Sequence, residues 1–254
     1  MTQRRRVLDF RALRRSSGLL LLVLFLLVDI GLVALHLLVG VGASGLPHYH
    51  LGVDRSYSEA VIYIKLGWIT VLALLLARRR HTPVFAALAL GSLLLLIEDA
   101  FTLHEQIGWH LNGWVLATFP ALGTFGLLSF QVGELLWLGA LGTVILGMFV
   151  VGYVRADARD RCDALSIAVF FGIVAFFAVV VDTIHSFSAP GSLSDAILTL
   201  VEDGGELIAL SPAVALAFAL AAESESDAAV GKGPGSGDHD AENRHHSRLR
   251  GNTL

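Results

Sequence analysis

Uninterrupted apolar runs long enough to cross a membrane are the feature that most constrains this chain. The run at 18–42, GLLLLVLFLLVDIGLVALHLLVGVG, exceeds the roughly 20 residues needed to span bilayer hydrocarbon. Of the 254 residues, 55% are hydrophobic and only 16% are charged. Backbone within lipid must satisfy its own hydrogen bonds, so such runs fold as helices. The sequence therefore predicts an all-α fold, a polytopic integral membrane helix bundle of the cell membrane.

The number of spans follows from the spacing of the apolar runs. The first run is longer than the apolar region of a signal peptide and contains Asp29 and His36, so it is interpreted as a retained span. About six transmembrane helices are predicted, at 17–41, 57–77, 83–108, 129–153, 164–187 and 195–222. This divides the chain into a basic N-terminus at 1–16, a helix bundle at 17–222 and a polar, disordered tail at 223–254.

The distribution of arginines predicts the orientation. Arginines cluster before span one, after span two and between spans four and five, and further basic residues lie in the tail. With six spans these clusters all fall on one side, which the positive-inside rule makes the cytoplasmic side. Both termini are therefore predicted to be cytoplasmic.

One apolar segment does not fit the six spans. Residues 112–130, NGWVLATFPALGTFGLLSF, are short for a span and contain Pro120 and several glycines. A seventh span here would also place Arg155, Arg159 and Arg161 outside. The stretch at 112–128 is therefore interpreted as a short external re-entrant or interfacial segment, with Trp109 and Trp114 at the headgroup level.

Ionisable residues concentrate in the outer half of the predicted bundle. At a rise of about 1.5 Å per residue, Glu98, Glu134, Glu202 and Glu206 lie within about 16 Å of the outer surface, and Asp182 and His185 lie near the external end of span five. Charges in a span are costly and mark function by default. Carboxylates from four helices and histidines from three thus form one polar layer, the strongest functional signal in the sequence.

Helical phase predicts how this layer is arranged. Glu98 and Glu105 fall on one face of span three, with Asp99 and His104 pointing elsewhere. Asp182 shares a face with His185, and Glu202 shares one with Glu206.

Carboxylates and imidazoles converging from several helices are typical ligands of zinc, iron or manganese. The predicted ligands of a divalent metal are Glu105, Asp182, His185, Glu202 and Glu206, with Glu98 and Glu134 as catalytic groups. Accessory positions are His36, Lys65, Asp99 and His104. For Lys65, an ion pair with a buried carboxylate is the favoured interpretation.

Three functions remain open from the residues alone. The leading one is a metal-dependent hydrolase or oxidoreductase acting on a lipid-like substrate in the outer leaflet. The second is a cation or proton transporter that uses the acids as ion sites. The third is haem binding through His36, His104 or His185. No nucleotide-binding loop, nucleophile elbow or zincin motif appears, and nothing indicates a nucleic-acid partner.

The span number and the polar site among helices loosely resemble the seven-span ceramidase and adiponectin-receptor group of intramembrane zinc hydrolases. The paired histidines that this group carries on its last helix have no counterpart here, because span six offers Glu202 and Glu206 but no histidine. The resemblance therefore concerns architecture and implies no residue roles.

Overall fold

The computed structural model describes residues 7–8, 13–14, 17–39, 46–120 and 129–230. Within them the chain is an all-α bundle, which confirms the all-α part of the predicted fold class. Its seven main helices are α1 (Gly18–Val39), α2 (Tyr57–Arg80), α3 (Pro83–Ala100), α4 (Leu103–Thr118), α5 (Ser129–Arg155), α6 (Ala158–Ala175) and α7 (Leu193–Val230). A single 3-10 turn, Pro47–Tyr49, lies between α1 and α2. All but α4 are long and apolar enough to cross a membrane, once α6 is taken with the helical turns that follow it.

Local sequence signals set several helix ends. Ser56 caps α2, its hydroxyl accepting a hydrogen bond from the Glu59 amide, and Asp157 caps α6 through the Asp160 amide. Pro83 opens α3, where its missing N–H costs no hydrogen bond. The α6 helix runs on through a π-helical segment, Phe176–Val181, into a last turn at Asp182–His185. Segments of π-helix are rare and frequently lie at functional sites.

The α7 helix is the centre of the bundle. It packs against α1, α2 and α6, and most of its span is buried inside the protein. One apolar cluster joins α7 to α2 around Leu66, Ile69 and Leu210, and a second fills the opposite end of the bundle around Phe85 and Ile167. The α5 helix is peripheral, packing on α3 and α4 with few of its residues fully buried.

The predicted third span, 83–108, ends earlier than expected. The α3 helix stops at Ala100, and Thr102 adopts a left-handed backbone with φ of 46°. The Phe101 and Thr102 amides still donate back to α3, while the His104 amide donates instead to the Glu98 carboxylate at 2.9 Å. The Glu98 side chain thus caps a new helix, and the prediction of one continuous helix to residue 108 is wrong.

Two other predicted segments are redrawn. Residues 112–118 of the expected re-entrant or interfacial segment belong to α4, and residues 121–128 lie outside the described residues. The α7 helix continues to Val230, so residues 223–230 of the expected disordered tail are helical. Arg159 and Arg79 pair there with Glu223 and Glu225. Residues 231–254, and most of the basic N-terminus at 1–16, are not described.

Candidate functional site: an acidic cavity

A cavity of about 570 Å³ lies at the end of the bundle where α3 gives way to α4. Every main helix from α2 to α7 contributes to its wall, as does the loop before α2. The carboxylates that line it are Asp54, Glu59, Glu98, Asp99, Glu105, Glu134, Asp182, Glu202, Asp203 and Glu206. His104 and His185 also line it, and no lysine or arginine among the described residues does.

On one side of the cavity, Glu98 and His104 form a close pair across the break between α3 and α4. The imidazole Nδ1 lies 2.8 Å from a Glu98 carboxylate oxygen, and Glu98 is only 6% exposed. Burial opposes protonation of His104, but its hydrogen bond to Glu98 and the nearby Glu134 and Glu105 carboxylates outweigh it and raise the histidine pKa to about 9. The pair is therefore an ion pair near neutral pH.

This pairing corrects the predicted phase. Because the helix breaks at Phe101 and Thr102, Glu98 and Glu105 do not share one continuous helical stripe. His104, expected to point away from Glu98, is its hydrogen-bonding partner.

On the opposite side, His185 joins the end of α6 to the start of α7. Its Nδ1 lies 2.6 Å from Glu202 and its Nε2 lies 3.0 Å from Asp195, so both ring nitrogens are engaged by carboxylates. The Asp182 carboxyl also interacts electrostatically with Glu202 and His185. A proton or a cation relieves the repulsion between neighbouring carboxylates.

A third group of acids lies along α7. Asp203 and Glu206 face the cavity one turn apart and interact electrostatically with Asp99 of α3 across it. The Glu59 carboxylate of α2 accepts hydrogen bonds from the Tyr63 hydroxyl and the Arg55 amide. Glu59 and Asp203 were missing from the predicted site. The spacing of 199, 202, 203 and 206 on one helix face is the signal that could have identified Asp203.

Two predicted accessory residues lie elsewhere. The Lys65 ammonium is fully buried, 2.5 Å from Asp29 and 2.7 Å from the Leu207 carbonyl oxygen. Lys65 therefore has the structural ion-pair role favoured from the sequence. The His36 Nδ1 accepts a hydrogen bond from the Leu51 amide, and this ring lines a separate cavity of about 230 Å³ together with His50 and Asp195.

The remaining predicted site residues all line the acidic cavity. They are Glu98, Asp99, His104, Glu105, Glu134, Asp182, His185, Glu202 and Glu206. Within the described part of the chain, however, no three His, Cys, Asp or Glu side chains are already arranged around one point to hold a metal ion.

The residues that line the cavity fall within the part of the chain that matches a protein-family model. The family model described as "Domain of unknown function (DUF8692)" matches residues 47–221. That match contains every residue named above as lining the acidic cavity and leaves α1 outside. No curated protein and no solved structure matches the chain.

Proposed function

The chain belongs to the family described as Domain of unknown function (DUF8692), and from this premise we propose that it is a multi-pass cell-membrane protein whose acidic cavity binds a cation. Six helices of sufficient length and hydropathy support the membrane location. Large apolar side chains also cover the outer surfaces of α1 and α5, including Leu20, Leu27 and Leu146, each more than 60% exposed. Contiguous exposed apolar surface of this kind suits lipid.

The proposed orientation keeps both termini in the cytoplasm. The arginine-rich ends of α2 and α5 then lie inside, and the acidic cavity opens toward the outside. The α4 helix, too short and polar to count as a span, lies at the outer headgroup level. Its Trp109 and Trp114 side chains are 65% and 62% exposed, in keeping with an interfacial aromatic belt.

Charge imbalance is the observation that carries the cation proposal. Ten carboxylates line one cavity, compensated among the described residues only by two histidines. Such a group must either take up protons or bind a positively charged ligand, because like charges at close range destabilise one another. A dication neutralises two of these charges directly.

The donor set favours a divalent metal, with zinc, iron and manganese as the candidates. We propose Glu105, Asp182, His185, Glu202 and Glu206 as its ligands. Since no three ligands already converge in the described residues, the ion has to draw carboxylates together from facing helices. His185 and Glu202, 2.6 Å apart, are where that convergence is furthest advanced.

A metal in this position also supports an enzymatic role. A bound metal would supply an activated water for hydrolysis or a redox centre for an oxidoreductase, and we propose Glu98 or Glu134 as the general base. A lipid-like substrate is the proposed target, because the cavity lies near the predicted outer membrane surface.

The other two candidate functions have less support. Cation or proton transport needs a path through the cytoplasmic half, which in the described residues is filled by the apolar cluster around Phe85, Ile167 and Leu216. Haem ligation through His36, His104 or His185 leaves the ten carboxylates that line the cavity without a role.

Elemental analysis of protein purified without a polyhistidine tag tests the metal proposal. We expect a stoichiometric divalent metal in the wild type and its loss in Glu202→Gln and His185→Ala. Glu225→Gln is the matched control, because Glu225 is 73% exposed and pairs with Arg79 away from the cavity. Metal-free protein that still moves cations into liposomes would overturn the metal site and favour transport, and a Soret band would favour haem.

A further inference from the structure

The acidic cavity has a polarity gradient along its depth. On α5 the lining runs from Glu134 inward to Leu138, Leu141 and Gly142. On α7 it runs from Glu206 to Leu210, on α2 from Glu59 to Ile62 and Leu66, and on α6 from Asp182 back to Val174 and Phe171. The cavity therefore has a carboxylate mouth and an apolar floor, and every one of these helices contributes to both.

An inorganic ion makes no use of such a floor. From Glu134 at the mouth to Gly142 on the floor, the lining extends about 12 Å along α5 at the ordinary helical rise. Apolar surface of that depth binds hydrocarbon, since burying apolar area is the main favourable term in such contacts.

The floor also lies between α5 and α6, which pack on different partner helices. The α5 and α6 helices are joined at residues 156–157, yet in the described part of the chain α5 packs on α3 and α4 while α6 packs mainly on α7. Leu138 and Leu141 of α5 thus face Val174 and Ala178 of α6 across the cavity instead of packing together. A chain-like ligand fits between these two walls.

We propose that the cavity binds a single-chain amphiphile with a positively charged headgroup. The headgroup lies among the carboxylates of the mouth, and the hydrocarbon chain lies on the floor between α5 and α6. This inference rests on the proposed cation-binding function and adds to it the class of organic cation that the site takes. Charge complementarity selects the headgroup, and the apolar floor selects the chain.

Glycines on α5 provide a matched test of the floor. Gly142 lines the cavity, and an added Cβ there meets no atom within 4 Å. Gly147, on the same helix, is equally open to a Cβ but does not line the cavity. Gly142→Phe therefore fills the floor, and Gly147→Phe is the control for an added phenylalanine on α5.

The experiment measures binding of tritiated dodecyltrimethylammonium to full-length protein in phosphatidylcholine nanodiscs, with empty nanodiscs as background. Tetramethylammonium and Mn²⁺ serve as head-only probes. We expect Gly142→Phe to weaken dodecyltrimethylammonium binding by about tenfold or more. We expect Gly147→Phe to bind like the wild type, and both variants to keep wild-type affinity for Mn²⁺.

The outcomes separate this inference from the cation site on which it rests. If Mn²⁺ binds but dodecyltrimethylammonium binds no better than tetramethylammonium, or binds equally to both glycine variants, the amphiphile proposal is wrong and the cation site stands. If dodecyltrimethylammonium binds with the expected dependence on Gly142 and Mn²⁺ does not bind, the amphiphile proposal stands and the metal proposal fails. If neither probe binds, both are wrong.

Discussion

At the scale of single residues, the main polar contacts are two histidine–carboxylate arrangements and one buried lysine. Glu98 accepts a hydrogen bond from the His104 amide, which caps α4, and it also pairs with the His104 ring. One carboxylate therefore sets the start of α4 and shifts the pKa of His104. The sequence around the helix break, DAFTLHE, contains no glycine or proline that would predict a break. Hydropathy therefore predicted a continuous span, and only the tertiary position of Glu98 reveals the turn.

The His104–Glu98 pair makes stability depend on pH. Folding raises the His104 pKa from 6.5 to about 9. The pair therefore contributes its full stabilisation of the folded protein below about pH 6.5 and loses it as the pH rises through about 9. At about pH 6.5, we expect the unfolding free energy of the wild type to exceed that of His104→Gln by about 1–3 kcal/mol. Denaturant unfolding in mixed micelles with a chelator measures the difference, and a gap that is constant with pH would contradict the assignment.

The buried Lys65–Asp29 pair predicts a large effect of removing one partner. Asp29 is fully buried and also accepts a hydrogen bond from Ser211. Lys65→Met leaves this carboxylate without its cation and should destabilise the protein by about 3–5 kcal/mol. The double variant Asp29→Leu with Lys65→Met should recover most of that loss in the same unfolding measurement. A double variant as unstable as the single one would show that the pair is not the cause.

At the scale of helices, most of the fold was readable from the sequence and most of the site's pairing was not. Apolar runs predicted the long helices because a backbone in lipid has no other way to satisfy its hydrogen bonds. Helix phase predicted that Glu202 and Glu206 share a face, but it could not predict that Asp195 would engage His185 or that His36 would line a different cavity. Those contacts depend on how helices distant in sequence pack.

The contact between α4 and α5 makes a prediction of its own. A Cβ at Gly133 would lie 2.1 Å from the Gly108 carbonyl oxygen, so the two backbones touch and place Glu134 beside α4. Gly133→Ala should therefore destabilise the protein by about 1–3 kcal/mol. Gly139→Ala on the same helix meets no atom within 4 Å and should be neutral or stabilising by up to about 1 kcal/mol. Equal thermal stability of the two variants would contradict this packing.

At the scale of the whole molecule, the proposed orientation puts the acidic cavity and the arginine-rich helix ends on opposite sides of the membrane. In a Cys162→Ser background, Ala189→Cys beyond α6 should react with a membrane-impermeant thiol reagent applied to intact cells. Ala158→Cys at the start of α6 should react only after the cells are opened. Labelling of Ala158→Cys in intact cells would reverse the proposed orientation.

The distribution of side chains along the bundle explains why one end is packed and the other end contains a cavity. Apolar side chains of α2, α3, α6 and α7 fill the end near the arginines, whereas carboxylates of all the helices from α2 to α7 face one another at the other end. Mutual repulsion keeps such side chains from closing into a dry core. The cavity is thus a consequence of placing so many acids at one level, and a cation is the ligand that this placement favours.

Equilibrium Mn²⁺ binding to the purified full chain tests whether the acidic cavity holds a divalent cation. Electron paramagnetic resonance of free Mn²⁺ should show saturable binding to wild type and to Glu225→Gln. The double variant Glu202→Gln with Glu206→Gln should bind at least about tenfold more weakly, because two of the carboxylates that attract the ion are neutral. Absence of saturable binding in wild type, or unchanged affinity in the double variant, would contradict a divalent-metal site in the acidic cavity.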